Sequence, residues 1–305
     1  MQIIKDKTEF KLNEETAVVI GKFDGLHKGH QILLEEILKA KNFGLKSVVF
    51  TFEPSVSVFL GLEDGMALIT KSEKRSLLSK MGVDYLIEFP AVAETMAISA
   101  EDFITTYLRD YLHARIIVCT EDLSFGYKGL GNLELMKKYE GICGFKVKQL
   151  EKLWYKDEVI SSSRIRKTLS DGNLDQVGDM LGRPYSFIGN IMHGAHLGTS
   201  IGFPTINLIP EDNKILPEKG VYYSETQIHG DTYRSITNIG YKPTVNKENQ
   251  ITIETYIYDF DEDVYGEEAL VSIKAFKRPE MKFNGIEELK AALLKDIEDG
   301  KLFGK

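Results

Sequence analysis

The 305-residue chain is 43% hydrophobic and 28% charged, a composition typical of a folded protein, and its length can bury two separate cores. Its formal net charge of −8 argues against nucleic acid as the main partner, because nucleic-acid binders concentrate Lys and Arg on one face. The apolar runs are too short to cross a bilayer, and two cysteines cannot build a disulfide framework, so we expect a cytoplasmic protein with no membrane partner.

The first part of the chain alternates strand-like and helix-like patterns. The run 16–21 is short and apolar, the segment 30–40 places apolar residues on one helical face, and the run 46–52 again has a strand pattern. The alternation continues along the chain, with helices at 71–81, 99–112 and 132–139 and strands at 85–89, 115–120 and 145–150. This pattern predicts parallel strands joined by crossover helices.

After a predicted helix at 174–181 the pattern changes to short β-rich runs bounded by Gly, Pro and Asn. They predict a small antiparallel barrel, and a last helix at 286–297 has the apolar spacing needed to cover one end of it. We therefore place a domain boundary near Gly182, which gives domains 1–182 and 183–305. The predicted strands of the barrel are 185–192, 204–208, 220–228, 233–239, 251–258 and 270–276.

The turn Gly21–His30 lies between the first strand and the first helix. Ligands of open α/β sheets bind at the carboxyl ends of the strands, and a helix N-terminus offers free N–H groups to a phosphate. His27 and His30 can donate to the same triphosphate, and Gly29 leaves room for a close approach. Two other interpretations stay open here: a Gly-rich turn with exposed histidines, or a metal held by Asp24, His27 and His30.

A second pattern, Ser161–Arg166, places three hydroxyls at the start of an amphipathic helix that carries two arginines. Backbone N–H groups of such a helix, together with Arg166, can hold phosphate oxygens. Helix capping alone explains the serines equally well.

Together the two patterns are similar to the HxGH and ISSTxIR signatures of the nucleotidyltransferase superfamily. They specifically resemble the N-terminal module of bacterial bifunctional riboflavin kinase/FAD synthetases. The resemblance runs from Val18 to Arg166 and includes Thr51–Pro54 and Glu121–Gly126. It implies a Rossmann-like nucleotidyltransferase fold and the transfer of an adenylyl group from ATP to FMN, which forms FAD and releases pyrophosphate.

The resemblance also implies roles for single residues of this domain. His27, His30 and Arg166 are the candidate catalytic residues. Asp122 is a candidate for binding the flavin phosphate or a ribose, although an exposed loop acid explains it as well. The expected contacts to ATP and its phosphates are Gly21, Phe23, Asp24, Gly25, Gly29, Ser161 and Ser162.

The second half carries its own series of motifs. Each glycine and proline in it can be a barrel turn or an edge residue. The order and spacing of the series, however, closely resemble the riboflavin kinase module over residues 183–299. The motifs are Gly194–Gly198, Gly202–Asn207, Gly220–Tyr222, Asn238–Thr244, Glu254 and Arg278–Glu280.

This second resemblance implies ATP-dependent phosphorylation of riboflavin to FMN. Thr205 and Asn207 are expected to bind Mg²⁺ through oxygen atoms, and Glu254 to accept the proton of the riboflavin 5′-hydroxyl. A solvated strand residue is the alternative for Glu254. Asn238 and Arg278 are expected to bind the flavin. The glycines expected to let the backbone approach ATP are Gly194, Gly198 and Gly202.

Several positions depart from the family pattern. Lys22 stands where Asn is common, Ser55–Val56 replaces His-Pro, Leu123–Ser124 replaces Phe-Arg, and Thr199 stands where Arg is common. Two rival functions follow: a monofunctional riboflavin kinase with an impaired first domain, and a non-catalytic flavin-binding regulator. The sequence leaves the oligomeric state open.

Overall fold

The computed structural model describes residues 1–192, 202–244 and 247–303. The chain forms two compact units, Met1–Ser162 and Ser163–Lys305. Within the described ranges, no helix is both long enough and apolar enough to cross a membrane.

The first unit is built on a six-stranded sheet of strands β1 (Gln2–Lys5), β2 (Thr16–Ile20), β3 (Lys46–Glu53), β4 (Tyr85–Pro90), β5 (Ala114–Thr120) and β6 (Lys146–Leu150). The spatial order is β1-β4-β3-β2-β5-β6, and every neighbouring pair is parallel. The chain adds β3 and β4 on one side of β2 and then β5 and β6 on the other, so β2 lies at the switch point of the sheet. The predicted α/β class is therefore confirmed.

Helices connect these strands and cover the sheet. Helix α1 buries Leu33, Leu34 and Ile37, as its apolar spacing predicts. Helix α3 begins with a capping box formed by Thr70 and Glu73. The helices are α1 (Lys28–Lys39), α2 (Val56–Phe59), α3 (Lys71–Lys80), α4 (Ala93–Met96), α5 (Ala100–Asp102), which continues as a π-helix over Phe103–Tyr111, α6 (Leu133–Lys138) and α7 (Glu140–Cys143). A short hairpin of β7 (Trp154–Tyr155) and β8 (Glu158–Val159) follows.

Two hydrophobic cores lie on opposite faces of the sheet, because neighbouring strand residues point in opposite directions. In β3, Phe50 packs in the core that holds Phe103, whereas Val49 packs in the core that holds Leu33 of α1. The carboxyl edge of the sheet is therefore bordered by two different apolar layers.

The second unit is built on a six-stranded sheet of strands β9 (Ser186–Asn190), β10 (Ile206–Leu208), β11 (Gly220–Ile228), β12 (Asp231–Thr244), β13 (Lys247–Ile257) and β14 (Glu268–Arg278). The order is β10-β13-β12-β11-β14-β9, and the pairs are antiparallel. A bridge between Met192, just after β9, and Asn207 in β10 brings the two edge strands together. The sheet thus closes towards a barrel, and the predicted all-β class is confirmed.

The second unit also contains most of helix α8 (Ser162–Ser170) and the whole of helices α9 (Leu174–Leu181) and α10 (Ile286–Leu302). Helix α9 packs against β14 and α10 against β12. Ile297 of α10 joins a small core with Val221 and Ile236. The predicted last helix is therefore present, and it packs on one face of the barrel wall.

Candidate active sites

The turn between β2 and α1 has a backbone that few sequences adopt. Phe23 has a left-handed φ of 52° and Gly25 a φ of 79°. His27 is the N-cap of α1, and its Nδ1 accepts the backbone N–H of His30 at 3.3 Å. A Cβ at Gly29 would lie 3.1 Å from the His27 ring, so glycine lets this ring fold over the turn. The predicted motif thus forms a compact cap on the N-terminus of α1.

The two histidines of the turn are stacked, with ring centroids 3.7 Å apart. The Nδ1 atom of His30 is buried and has no hydrogen-bond partner among the described residues. Burial lowers the pKa of His30 well below its usual range, and the charges of His27 and Lys74 lower it further. His30 is therefore neutral at pH 7, and its ring can donate one hydrogen bond.

Two hydrogen bonds fix the turn to neighbouring loops. The Ser162 hydroxyl donates to the carbonyl oxygen of Asp24 at 2.9 Å, and the Asp24 carboxylate accepts the Leu68 N–H at 2.9 Å. Ser161 precedes α8, and Arg166 lies on α8 one turn after Ser162. Within the described residues, no three His, Cys, Asp or Glu side chains are grouped to hold a metal, so the alternative of a metal at Asp24, His27 and His30 gains no support.

A cavity of about 860 Å³ opens beside this turn, at the carboxyl ends of β2, β3 and β5. The alternation along β3 divides its wall into two lobes. One lobe borders α1 and includes Phe23, His30, Leu33 and Thr51. The other borders the opposite core and is lined mainly by apolar side chains, among them Phe52, Ile98, Phe103, Leu123 and Phe125. The lobe at the helix N-terminus therefore mixes polar and apolar side chains, whereas the other lobe is mainly apolar and suited to a flat ring.

Two buried hydroxyls in this cavity were not predicted as site residues. Thr51 and Ser55 belong to its lining, and their buried hydroxyl oxygens have no hydrogen-bond partner among the described residues. An unsatisfied buried hydroxyl costs about 1–3 kcal/mol, so Thr51 and Ser55 are additional candidates for contact with a polar ligand group. The sequence signal available was a Thr at the carboxyl end of a buried strand, followed by Ser after the Glu-Pro pair.

The remaining predicted residue of this unit, Asp122, lies at the cavity wall. Burial raises its pKa, but hydrogen bonds from Thr120 at 2.5 Å and from Lys152 outweigh burial, and the net pKa is lowered. Lys22 also lines the cavity, where it forms an ion pair with Glu63. These groups add charge to the rim of the cavity.

The second unit places its predicted residues in one transverse row. Glu254 in β13 lies directly opposite Asn207 in β10 and opposite Asn238 in β12. Asn238 in turn pairs with Val221, and Val221 pairs with Arg278 in β14. Residues directly opposite each other in antiparallel strands have side chains on the same face. Four site residues from distant parts of the sequence therefore share one face of the barrel wall.

The oxygen-rich end of this row has the chemistry of a cation site. The Thr205 hydroxyl donates to the Glu254 carboxylate at 2.8 Å. Asn207 is 4% exposed, and its Oδ1 has no hydrogen-bond partner among the described residues. Hydroxyl, amide and carboxylate oxygens are the ligands that Mg²⁺ prefers, so the residues present fit this ion.

At the other end of the row, Arg278 is held by an ion pair. Its guanidinium donates to the Asp296 carboxylate of α10, with the shortest distance 2.5 Å, and Asp296 is 4% exposed. The Glu280 carboxylate lies so close to Gly240 that a Cβ at position 240 would collide with it. Of the predicted glycines, Gly202 has a left-handed φ of 89°, whereas Gly194 and Gly198 lie outside the described residues.

Comparisons with known proteins cover both units. The FAD synthetase family model matches residues 9–164, and the riboflavin kinase family model matches residues 181–303. The chain is 35% identical over 289 residues to the bifunctional riboflavin kinase/FMN adenylyltransferase of Listeria monocytogenes, with 94% of this chain and 91% of that protein covered. The Bacillus subtilis protein of the same name is 35% identical over 295 residues, with 93% and 91% covered.

One solved structure resembles the whole chain. A crystal structure described as a macrolide-efflux protein from Streptococcus pneumoniae superposes with a TM-score of 0.83 at 31% identity, and 98% of each chain is covered. That description differs from the names of the sequence relatives, although the likeness extends over both units.

Proposed function

The chain belongs to the bifunctional riboflavin kinase/FMN adenylyltransferase family, and from this premise we propose which residues carry each reaction. The enzyme phosphorylates riboflavin to FMN with ATP, and it transfers the adenylyl group of ATP to FMN, which forms FAD and releases pyrophosphate. The kinase reaction is assigned to residues 183–305 and adenylyl transfer to residues 1–182.

For the kinase, the transverse row is the observation that carries the proposal. The riboflavin 5′-hydroxyl oxygen attacks the γ-phosphorus of ATP, the bond from that phosphorus to the β,γ-bridging oxygen breaks, and ADP leaves. Glu254 accepts the hydroxyl proton, and the hydrogen bond from Thr205 orients its carboxylate. Mg²⁺, held by Thr205 and Asn207, would neutralise charge on the phosphates. Asn238 is proposed to bind the flavin.

Arg278 is proposed to lie near the flavin ring. Arg278 is three strands away from Glu254 along the row, a distance of roughly 14 Å at the usual strand spacing. Asn238, the proposed flavin ligand, lies between them in the row. A riboflavin with its hydroxyl end at Glu254 can therefore extend its ring towards Arg278. We also propose that Gly194, Gly198 and Gly202 let the backbone approach the phosphates of ATP.

For adenylyl transfer, the two-lobed cavity carries the proposal. The triphosphate is placed at the N-terminus of α1, with the rings of His27 and His30 and the backbone N–H of Ser162 donating to it and Arg166 as a further phosphate ligand. Ser161 and the turn glycines Gly21, Gly25 and Gly29 are proposed to contribute contacts through the backbone. The isoalloxazine ring of FMN is placed in the apolar lobe, near Asp122. An FMN phosphate oxygen then attacks the α-phosphorus of ATP, and pyrophosphate leaves.

We place the enzyme in the cytoplasm and expect riboflavin, FMN, FAD and ATP as its ligands, with neither nucleic acid nor membrane as a partner. Mg²⁺ is expected at both sites.

A time course tests the two reactions together. Purified protein is incubated with riboflavin, ATP and Mg²⁺, and the flavins are separated by chromatography. We expect FMN to appear first and FAD to follow. FMN without FAD would contradict the proposed role of the first unit, and unchanged riboflavin would contradict the proposed kinase site.

A further inference from the structure

Helix α3 presents a row of cations beside the adenylyltransferase turn. Lys71, Lys74 and Arg75 share one helical face, because residues three and four apart are neighbours. Arg75 donates to the buried Glu88 at 2.8 and 2.5 Å, and Lys71 lies 3.7 Å from Glu53. These two cations thus have carboxylate partners on the sheet.

Lys74 makes a different contact. Its Nζ donates to the carbonyl oxygen of Lys22 at 3.0 Å, 52 residues away in the sequence. Burial lowers the pKa of Lys74, and the charges of Glu53, Asp24 and Glu88 oppose this change. An ammonium group is therefore held directly against the backbone of the phosphate-binding turn.

The turn needs such support. Phe23, the residue after Lys22, adopts a left-handed conformation that costs a side-chain-bearing residue of order 1–3 kcal/mol and persists only when its surroundings hold it. The hydrogen bond from Lys74 to the preceding carbonyl restrains the chain at this point. The same ammonium is close enough to His30 to lower the pKa of that ring, so it adds positive charge at the turn, which favours a bound anion.

We infer that Lys74 is a positioning residue for adenylyl transfer, which fixes the phosphate-binding turn through the Lys22 carbonyl and contributes positive charge near His30. This inference rests on the function proposed for the first unit. Lys74 does not line the cavity, so it acts through the turn and not by touching the substrate.

Three variants of the full-length enzyme test this role: Lys74→Gln, Lys74→Arg and the matched control Lys71→Gln. We expect kcat/KM for FAD formation from supplied FMN and ATP to fall about 10–100-fold in Lys74→Gln, because a charged hydrogen bond to the turn is lost. Lys74→Arg keeps a cationic donor and is expected to recover most of the rate. Lys71→Gln is expected to stay within about threefold of the wild type. FMN formation from riboflavin should be unchanged in all three.

The pH profile separates positioning from a general loss of stability. Lys74 and His27 are the ionisable groups that act on His30, and both lower its pKa. Removal of the Lys74 charge therefore raises the pKa of His30, so His30 gains a proton at a higher pH. We expect the acidic limb of FAD formation to move to higher pH in Lys74→Gln and to stay in place in Lys71→Gln.

The outcomes distinguish a failure of the proposed function from a failure of the role of Lys74. A wild-type enzyme that makes FMN but no FAD would contradict the proposed function and this inference with it. If the wild type makes FAD and Lys74→Gln matches Lys71→Gln in both rate and pH profile, only the role of Lys74 is wrong. A lower rate at every pH, with an unmoved acidic limb and no recovery in Lys74→Arg, would also contradict it.

Discussion

The proposed sites of the two units act on different nucleophiles, one neutral and one already ionised. In the proposed kinase site the nucleophile is an alcohol, and Glu254 lies on the site face with its carboxylate hydrogen-bonded to Thr205. In the proposed adenylyltransferase site the nucleophile is a phosphate that is already ionised at pH 7. There, hydrogen bonds from Thr120 and Lys152 outweigh burial and lower the pKa of Asp122, which makes this carboxylate a weak base.

The difference indicates what each site has to supply. The kinase needs a proton acceptor and a cation site, and the end of the row where β10 pairs with β13 has the side chains proposed for both. Adenylyl transfer needs charge stabilisation and orientation, which a helix N-terminus, two stacked histidines and a shaped cavity can provide. Variants that affect one reaction alone therefore test whether this division is correct.

The largest effect is expected from Glu254→Gln. The variant keeps the shape of the side chain but removes the proton acceptor, so riboflavin phosphorylation should fall about 10²–10⁴-fold. FAD formation from supplied FMN should be unchanged, because the nucleophile of that reaction needs no base. The two rates are measured separately by chromatography. A kinase rate equal to that of the wild type would show that Glu254 is a solvated strand residue instead.

The second largest effect is expected from His30→Ala, which should lower FAD formation and leave the kinase reaction intact. Loss of a preorganised donor at developing charge typically costs about 10²–10³-fold, and we expect a loss of this size in FAD formation. Phosphorylation of riboflavin should not change. His229→Ala, an exposed histidine in the barrel, is the control and should leave both rates intact. An equal loss of both activities in His30→Ala would contradict the proposal that each unit carries one of the two reactions.

Much of this arrangement could be predicted from local sequence patterns. The turn carrying His27 and His30 follows a buried strand and precedes an amphipathic helix, so its place at a sheet edge follows from topology. Likewise, the barrel strands show the short β-rich runs that fix their class. The strand Gln2–Lys5 was missed because it is an edge strand with mostly exposed residues, which gives it no apolar alternation.

Other features depend on contacts between distant residues. The hydrogen bond from Lys74 to Lys22 and the ion pair of Arg278 with Asp296 join segments whose spacing carries no motif. The unsatisfied hydroxyls of Thr51 and Ser55 are also visible only when burial is known. A single sequence shows which residues have reactive groups, but packing decides which of these groups lack a partner.

A smaller effect is expected from Thr51→Val, which replaces the buried hydroxyl by a methyl group. Loss of an unsatisfied polar group should raise the melting temperature of the ligand-free enzyme, since the desolvation penalty of about 1–3 kcal/mol is removed. The KM of ATP or FMN should rise, by roughly 5–10-fold, if a ligand satisfies this hydroxyl. Ser47→Ala, on the same strand but already hydrogen-bonded to Asp84, is the control and should lower the melting temperature. A Thr51→Val enzyme with unchanged KM values would show that no ligand reaches the hydroxyl.

The smallest effect is expected from Lys22→Asn, which restores the residue common in the family. Lys22 pairs with Glu63 at the rim of the cavity, and both side chains are about one-third exposed, so solvent screens the pair. The Lys22 carbonyl, which accepts the hydrogen bond from Lys74, is retained in the variant. We therefore expect the rate of FAD formation to change by less than about threefold, with phosphorylation unaffected. An increase of tenfold or more would mean that Lys22 itself restrains the adenylyltransferase, and that this site depends on its side chains at the rim as much as on the backbone of the turn.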